Sequence, residues 1–221
     1  MHYLDYAATT PVPPEVAREM LAVLTEEFGN PSAQYELGRA AMIRLDRDRE
    51  TVAGALGCRP EQLFFTSCGT EGDNWAIRAA LHQNRRVGRH IVTTAVEHSA
   101  VLQCVKALEQ EGYAVSYLKP DSTGHITAEQ VSAALREDTA LVSVMLVNNE
   151  TGARLPVEEI AALLADRPAL LHTDAVQGFL KVPFTAGSLG ADYITLSAHK
   201  IGGPKGIGAL YIGGRAKNTL P

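Results

Sequence analysis

Five short polar clusters in the 221 residues carry complementary chemistry. Ser197-Ala-His-Lys200 ends in a lysine between an apolar run and the glycine-rich Gly202-Gly-Pro-Lys-Gly206. An amine at the edge of a desolvated site holds its proton less tightly and condenses with carbonyls. Asp174 closes the apolar run that begins at Ala169, where a carboxylate without a cationic partner is costly to bury. A protonated ring nitrogen would satisfy it, and a cap for the following turn is the plainer use. Gly69-Thr70 opens a helical pattern after an apolar run. Free N–H groups and the helix dipole make such a junction an anion site that glycine leaves open, although Thr70 also suits a capping role. His98, after Glu97, fits stacking on an aromatic ligand or moving protons, against the ordinary structural histidine. The amides of Asn149 and Gln177 can bond a ring hydroxyl and suit turns equally well.

Other chemistries find less support. Neither GxxxxGK[ST] nor GxGxxG is present, so nucleotide folds are disfavoured. Cys58, Cys68 and Cys104 are odd in number and lack CxxC spacing, which argues against a disulfide framework or a zinc site. His172-x-Asp174 could start a metal pair, but no third ligand is evident, and no metal is predicted. A formal charge of −5 disfavours a nucleic-acid partner. Leu141–Val147 is far shorter than the roughly 20 apolar residues a membrane helix needs. Met1–Asp5 has no signal-peptide character, so the cytoplasm is the expected compartment.

The elements that must position these groups alternate. Pro13-Pro14 starts a helix to about Phe28, and Ser32 is placed to cap a second, running to Leu56 and stopped by Gly57. Strands are predicted at 63–66, 90–94, 113–118, 139–147, 169–172, 193–196 and 207–212. Helices are predicted at 70–82, 99–110, 127–136 and 156–165. This rhythm predicts an α/β fold, a mostly parallel sheet with helices on both faces and one antiparallel strand at the end. Ligands in such sheets sit past the carboxyl ends of the strands, where the five clusters fall.

An anion cradle, a carboxylate for a ring nitrogen, a lysine for an aldehyde and a ring to stack together describe pyridoxal phosphate. At these residues the chain resembles the class V aminotransferase family, and within it the NifS/IscS-type cysteine desulfurases. The matching segments are Tyr3–Pro11, Gly29–Ser32, Phe65–Glu71, Glu97-His98, Val147–Gly152, His172–Gln177 and Ser197–Gly206. The resemblance implies the fold type I large domain of PLP-dependent transferases. It also implies that Lys200 joins the cofactor aldehyde and moves protons, that Asp174 pairs with the ring nitrogen, and that His98 stacks on the ring and acts with Lys200. Asn149 and Gln177 would face the ring oxygen, and Gly69, Thr70, Ser197 and His199 the phosphate. Residues 1–13 would belong with a small domain and 14–221 to the large domain, incomplete at its C-terminal end. The cysteine that accepts sulfur and an arginine for the substrate carboxylate are expected beyond Pro221, in a C-terminal small domain absent here. L-cysteine as substrate, a homodimer, and a sulfur acceptor such as an iron–sulfur scaffold or a tRNA-thiolation protein are likewise implied. A selenocysteine lyase, an aminotransferase or a non-catalytic remnant are the alternatives.

Overall fold

The computed structural model describes residues 2–218. Its seven-stranded sheet is built from β1 (Leu63–Thr66), β2 (His90–Thr94), β3 (Ala114–Leu118), β4 (Thr139–Ser143), β5 (Leu170–Asp174), β6 (Tyr193–Ser197) and β7 (Gly208–Ile212). The spatial order is β1-β7-β6-β5-β4-β2-β3. The pairs among β2 to β6 are parallel, whereas β7 runs antiparallel to both β1 and β6. β1 and β6 therefore point the same way, and the carboxyl ends of β1, β2, β5 and β6 open on one edge.

Every residue of β2, β4, β5, β6 and β7 is buried, as helices on both faces require. On one face α3 (Gly69–Gln83) and α4 (Ser99–Gln110) pack Ala76, Ile77, Val101 and Val105 against Leu141 and Tyr193. Alternation along the strands sends Val142 and Ile194 to the other face. There they meet Leu56 of α2 (Glu36–Leu56), Val131 of α5 (Ala128–Ala134), Ile160 of α6 (Val157–Leu163) and Leu189 of α7 (Ala186–Leu189). Gly57 ends α2 in the left-handed region, φ 71°. No helix among the described residues is long and apolar enough to cross a membrane.

Three local expectations change. α1 (Pro14–Thr25) stops short of Phe28, because the N–H groups of Glu26 and Glu27 both turn back to Ala22 O. Ser32 does not cap α2: its N–H is taken by Asn30 Oδ1 at 2.9 Å, and the helix begins at Glu36 behind Tyr35. The strand read over 139–147 is assigned only to Ser143. The N–H groups of Val144 and Leu146 still bond His172 and Asp174, while Val147 leaves to bridge Arg154 and so forms the loop bearing Asn149. The four-residue α7, capped by Thr185, had no periodicity to announce it.

The close approach of α3 to the sheet is set by glycine. A Cβ on Gly72 would stand 2.8 Å from Thr195 Cγ2 on β6. Gly72→Ala should therefore overpack this seam and destabilise the fold by about 1–3 kcal/mol. A denaturant midpoint equal to that of the parent protein would refute this account of the packing.

Candidate active site

A cavity of about 480 Å³ opens past those strand ends, lined by Gly69, Thr70, His98, Asn149, Asp174, Gln177, Ser197, His199 and Lys200. All nine candidates from the sequence thus share one wall system. It also takes in Asp5, Ala7, Ala8, Cys68, Asp73, Met145, Glu150 and Val176.

β1 delivers Gly69 and Thr70 by turning directly into α3. The N-cap is Cys68, in extended backbone and without a side-chain cap, and Thr70 is already inside the helix. The capping alternative for Thr70 is thereby removed, and the first helical N–H groups keep their anion-binding capacity. A Cβ at Gly69 would lie 2.9 Å from Val176 Cγ2, so only glycine fits between that turn and the one after β5.

Buried acid dominates the electrostatics. Asp174 caps the turn after β5, its Oδ1 accepting from Val176 N at 2.9 Å. Asp73, in α3, accepts from the Thr195 hydroxyl, and its Oδ1 has no hydrogen-bond partner. Both carboxyls are pushed up to about 7, foremost by burial, and Asp174 additionally by Asp73. Glu97 lies behind them, pushed up to about 8 by burial. Its Oε1 accepts from Thr94 Oγ1 at 2.8 Å and Met145 N at 3.0 Å, and its Oε2 has no partner. Among the described residues no lysine or arginine pairs with any of the three.

His172 does not supply the missing cation. Its Nε2 lies 3.4 Å from Asp73 Oδ1, but burial holds the ring near 4, so the contact is not an ion pair. With Thr195 donating to Asp73, His172 Nε2–H donates to Thr195 Oγ1 at 3.0 Å. Nδ1 then accepts from Ser143 Oγ at 2.9 Å. The result is a buried, ordered row of donors beneath the cavity.

Lys200 closes a short 3₁₀ turn after β6 and donates to Ala7 O at 2.5 Å and Ala8 O at 2.8 Å. Partial burial holds its amine below the usual lysine range, opposed by Asp174 and Asp5. Gln177 donates to the same Ala7 O at 2.8 Å and accepts from Lys181 Nζ at 2.8 Å. His199 O accepts from Thr10 N at 2.8 Å, while its Nδ1 meets Thr9 Oγ1 at 3.1 Å. The N-terminal segment thus lies against the lysine. His98 caps α4, its Nδ1 accepting from Ala100 N at 3.2 Å, which places the hydrogen of the neutral ring on Nε2. Asn149 donates to Glu150 at 2.6 Å.

Sequence reading passed over Asp73 as a site residue, although a signal existed. It sits on the same helical stripe as Ile77 and Ala80, both fully buried. Glu97 was noticed only as the neighbour of His98. Of the three thiols only Cys68 lines the cavity; burial pushes Cys58 up, and Cys104 to about 11.

A carboxyl that binds its proton more tightly when folded favours the fold at low pH. That contribution is complete below the unfolded value near 4 and is lost as pH rises through the folded value, here about 7 to 8. The slope is about 1.4 kcal/mol per pH unit for each such group. In the cofactor-free chain Asp174→Asn should therefore raise the melting temperature at pH 8 relative to the parent, with the difference vanishing toward pH 4. A difference that does not change with pH would contradict this electrostatic reading.

The chain is similar to known proteins over nearly all of its length. Cysteine desulfurase IscS of Methanosarcina thermophila is 44% identical over 210 residues, which are 95% of this chain and 52% of that protein. A NifS-like protein of known structure superposes with a TM-score of 0.93 at 40% identity, covering 99% of this chain and 60% of that one. The structure described as SspA in complex with cysteine gives a TM-score of 0.93 at 35% identity, over 100% of this chain and 65% of that one. The chain spans about half the length of the curated relatives it matches. Residues 2–221 match the aminotransferase class-V family, and the chain belongs to that family.

Proposed function

We propose that this chain is the cofactor-binding part of a pyridoxal-phosphate-dependent cysteine desulfurase. The complete reaction converts L-cysteine and an enzyme thiol to L-alanine and a persulfide. The observation that carries this reading is one cavity holding an amine, a buried carboxyl without a cation and an uncapped helix N-terminus. The relatives named above, one of them described in complex with cysteine, support the choice of substrate.

The residues fit the cofactor. A buried carboxylate beside the cavity lacks a positive partner, and a protonated ring nitrogen is one. Gly69 lets the head of α3 pack against Val176 on the turn after β5, which brings uncapped helical N–H groups suited to a phosphate to the cavity. When bound, pyridoxal phosphate supplies an aldehyde and a protonated ring that withdraws electrons from the substrate.

In this reading Asp174 holds the proton on the ring nitrogen, and the Thr195–His172–Ser143 row fixes the polar floor behind Asp73. Gly69, Thr70, Ser197 and His199 bind the phosphate, while Asn149 and Gln177 orient the ring oxygen. Lys200, its proton affinity lowered and its amine resting on the carbonyls of Ala7 and Ala8, would be the group to hold the aldehyde and could carry a proton at Nζ. His98, on the cavity wall with its Nδ1 engaged by Ala100 N, would face the ring and could share proton handling through Nε2. The segment from Asp5 to Thr10 covers Lys200 and limits water.

Residues 14–221 serve in this proposal as the large domain. Cys58 and Cys104 keep their protons and lie off the cavity, so the sulfur-accepting thiol is assigned to neither. The exposed Leu21, Leu24 and Phe28 near α1, and Ile43 on α2, suit association with a second copy. A sulfur-acceptor protein and a cytoplasmic setting complete the reading.

Borohydride reduction of the protein incubated with pyridoxal phosphate, followed by peptide mapping, should place a pyridoxyl group on Lys200 and none in Lys200→Ala. Labelling spread over surface lysines would defeat the assignment. The 221 residues alone should raise their melting temperature with the cofactor yet release no sulfide from cysteine at an enzymatic rate. Rapid sulfide release would show that they need no further thiol.

A further inference from the structure

Asp73, His98 and Asp174 bring two carboxyls and an imidazole to the same cavity, with one ligand atom from each lying within 4.8 Å of the others. The acids are buried and the histidine exposed, so a group between them stands at the boundary of protein and cavity. A separate observation points to a ligand there. Asp73 is 1% exposed and its Oδ1 has no hydrogen-bond partner, although the residue lines the cavity. A dry carboxyl oxygen without a donor needs either a proton or a cation.

We propose that the cofactor-free protein binds a divalent first-row transition ion, such as Zn²⁺ or Co²⁺, on Asp73, His98 and Asp174. One imidazole nitrogen with two carboxylate oxygens suits these ions, whereas an imidazole ligand argues against Mg²⁺ or Ca²⁺. The volume of about 480 Å³ leaves room for water to complete the coordination shell. The ion neutralises two buried acids with which no lysine or arginine among the described residues forms an ion pair. Lys200, the amine on the same cavity, is held on the carbonyls of Ala7 and Ala8.

The ligand set differs from the His172-x-Asp174 pair visible in the sequence. His172 is engaged with Thr195 and Ser143, so the third ligand comes from α3 and the imidazole from the head of α4. His98 either gives up its 3.2 Å bond from Ala100 N to bind through Nδ1, or moves its hydrogen to Nδ1 to bind through Nε2. Either route removes that bond. The ion would occupy space that the proposed cofactor ring needs. This exclusion rests on the pyridoxal phosphate reading; the ion site rests on the three side chains alone.

The test is a titration of cofactor-free protein with Co²⁺, followed by its visible ligand-field absorption, and repeated after saturation with pyridoxal phosphate. Uptake of a single ion per chain is expected, weakened by about tenfold or more in Asp73→Asn or His98→Ala and abolished by saturation. No uptake, or equal uptake by Asp73→Asn, overturns the site, and cofactor absorbance in the same preparation then shows that the cavity is intact. Asp73→Asn removes a buried charge without changing shape, so loss of folding does not obscure the result. Cobalt uptake by protein that shows no cofactor absorbance supports the ion site and sinks the cofactor reading instead.

Discussion

Carboxyls kept dry without a basic partner are the constraint around which this molecule is arranged. Asp73, Asp174 and Glu97 are each no more than 5% exposed, and each oxygen must find a donor or keep a proton. The backbone N–H groups of Val176 and Met145 and the hydroxyls of Thr94 and Thr195 satisfy part of that demand. What remains is an unmet demand for a proton or a cation, which Asp73 and Asp174 present to the open cavity. A structure that bore this cost without use would gain by replacing the acids with apolar groups of similar volume.

The scaffold makes such a cluster possible. Parallel strands buried on both faces put their carboxyl-end residues beside one another at a single edge, and β5 and β6 supply Asp174, Thr195 and Ser197 there. Helix α3 must lie unusually close to contribute Asp73 from its first turns, which is why Gly69 and Gly72 face Val176 and Thr195. The same closeness points the helix N-terminus at the cavity. Negative charge at one place and anion-binding N–H groups at another give the site a polarity that an unsymmetrical ligand can match.

The N-terminal segment adds a second layer of control. Ala7 and Ala8 accept from Lys200, Ala7 also accepts from Gln177, and Thr10 ties itself to His199 and Gly202. These bonds come from residues 170 to 193 positions away in sequence. They fix the turn that carries the lysine while leaving its amine on exchangeable carbonyl partners. Rigid support with a releasable nucleophile suits a group that must alternately hold and surrender a proton.

Composition, periodicity and turn residues determined the alternating elements, the mostly parallel sheet with β7 reversed, and the strand-end positions of the nine candidate residues. These are local matters: Gly57 ends a helix and Thr127 starts one through bonds to near neighbours, and apolar runs bounded by such signals read directly as strands. Tertiary structure alone decided that β1 lies beside β7 at the far edge, that Asp73 joins Asp174, and that Ala7 meets Lys200. These contacts join distant parts of the chain, unlike the local bond from Ser32 N to Asn30 Oδ1. The physical reason is that burial without a partner is a property of the assembled surroundings. The stripe shared with Ile77 and Ala80 marks the inward face of Asp73, but the desolvation of its carboxyl is set by a sheet from some 120 residues further along that closes over it.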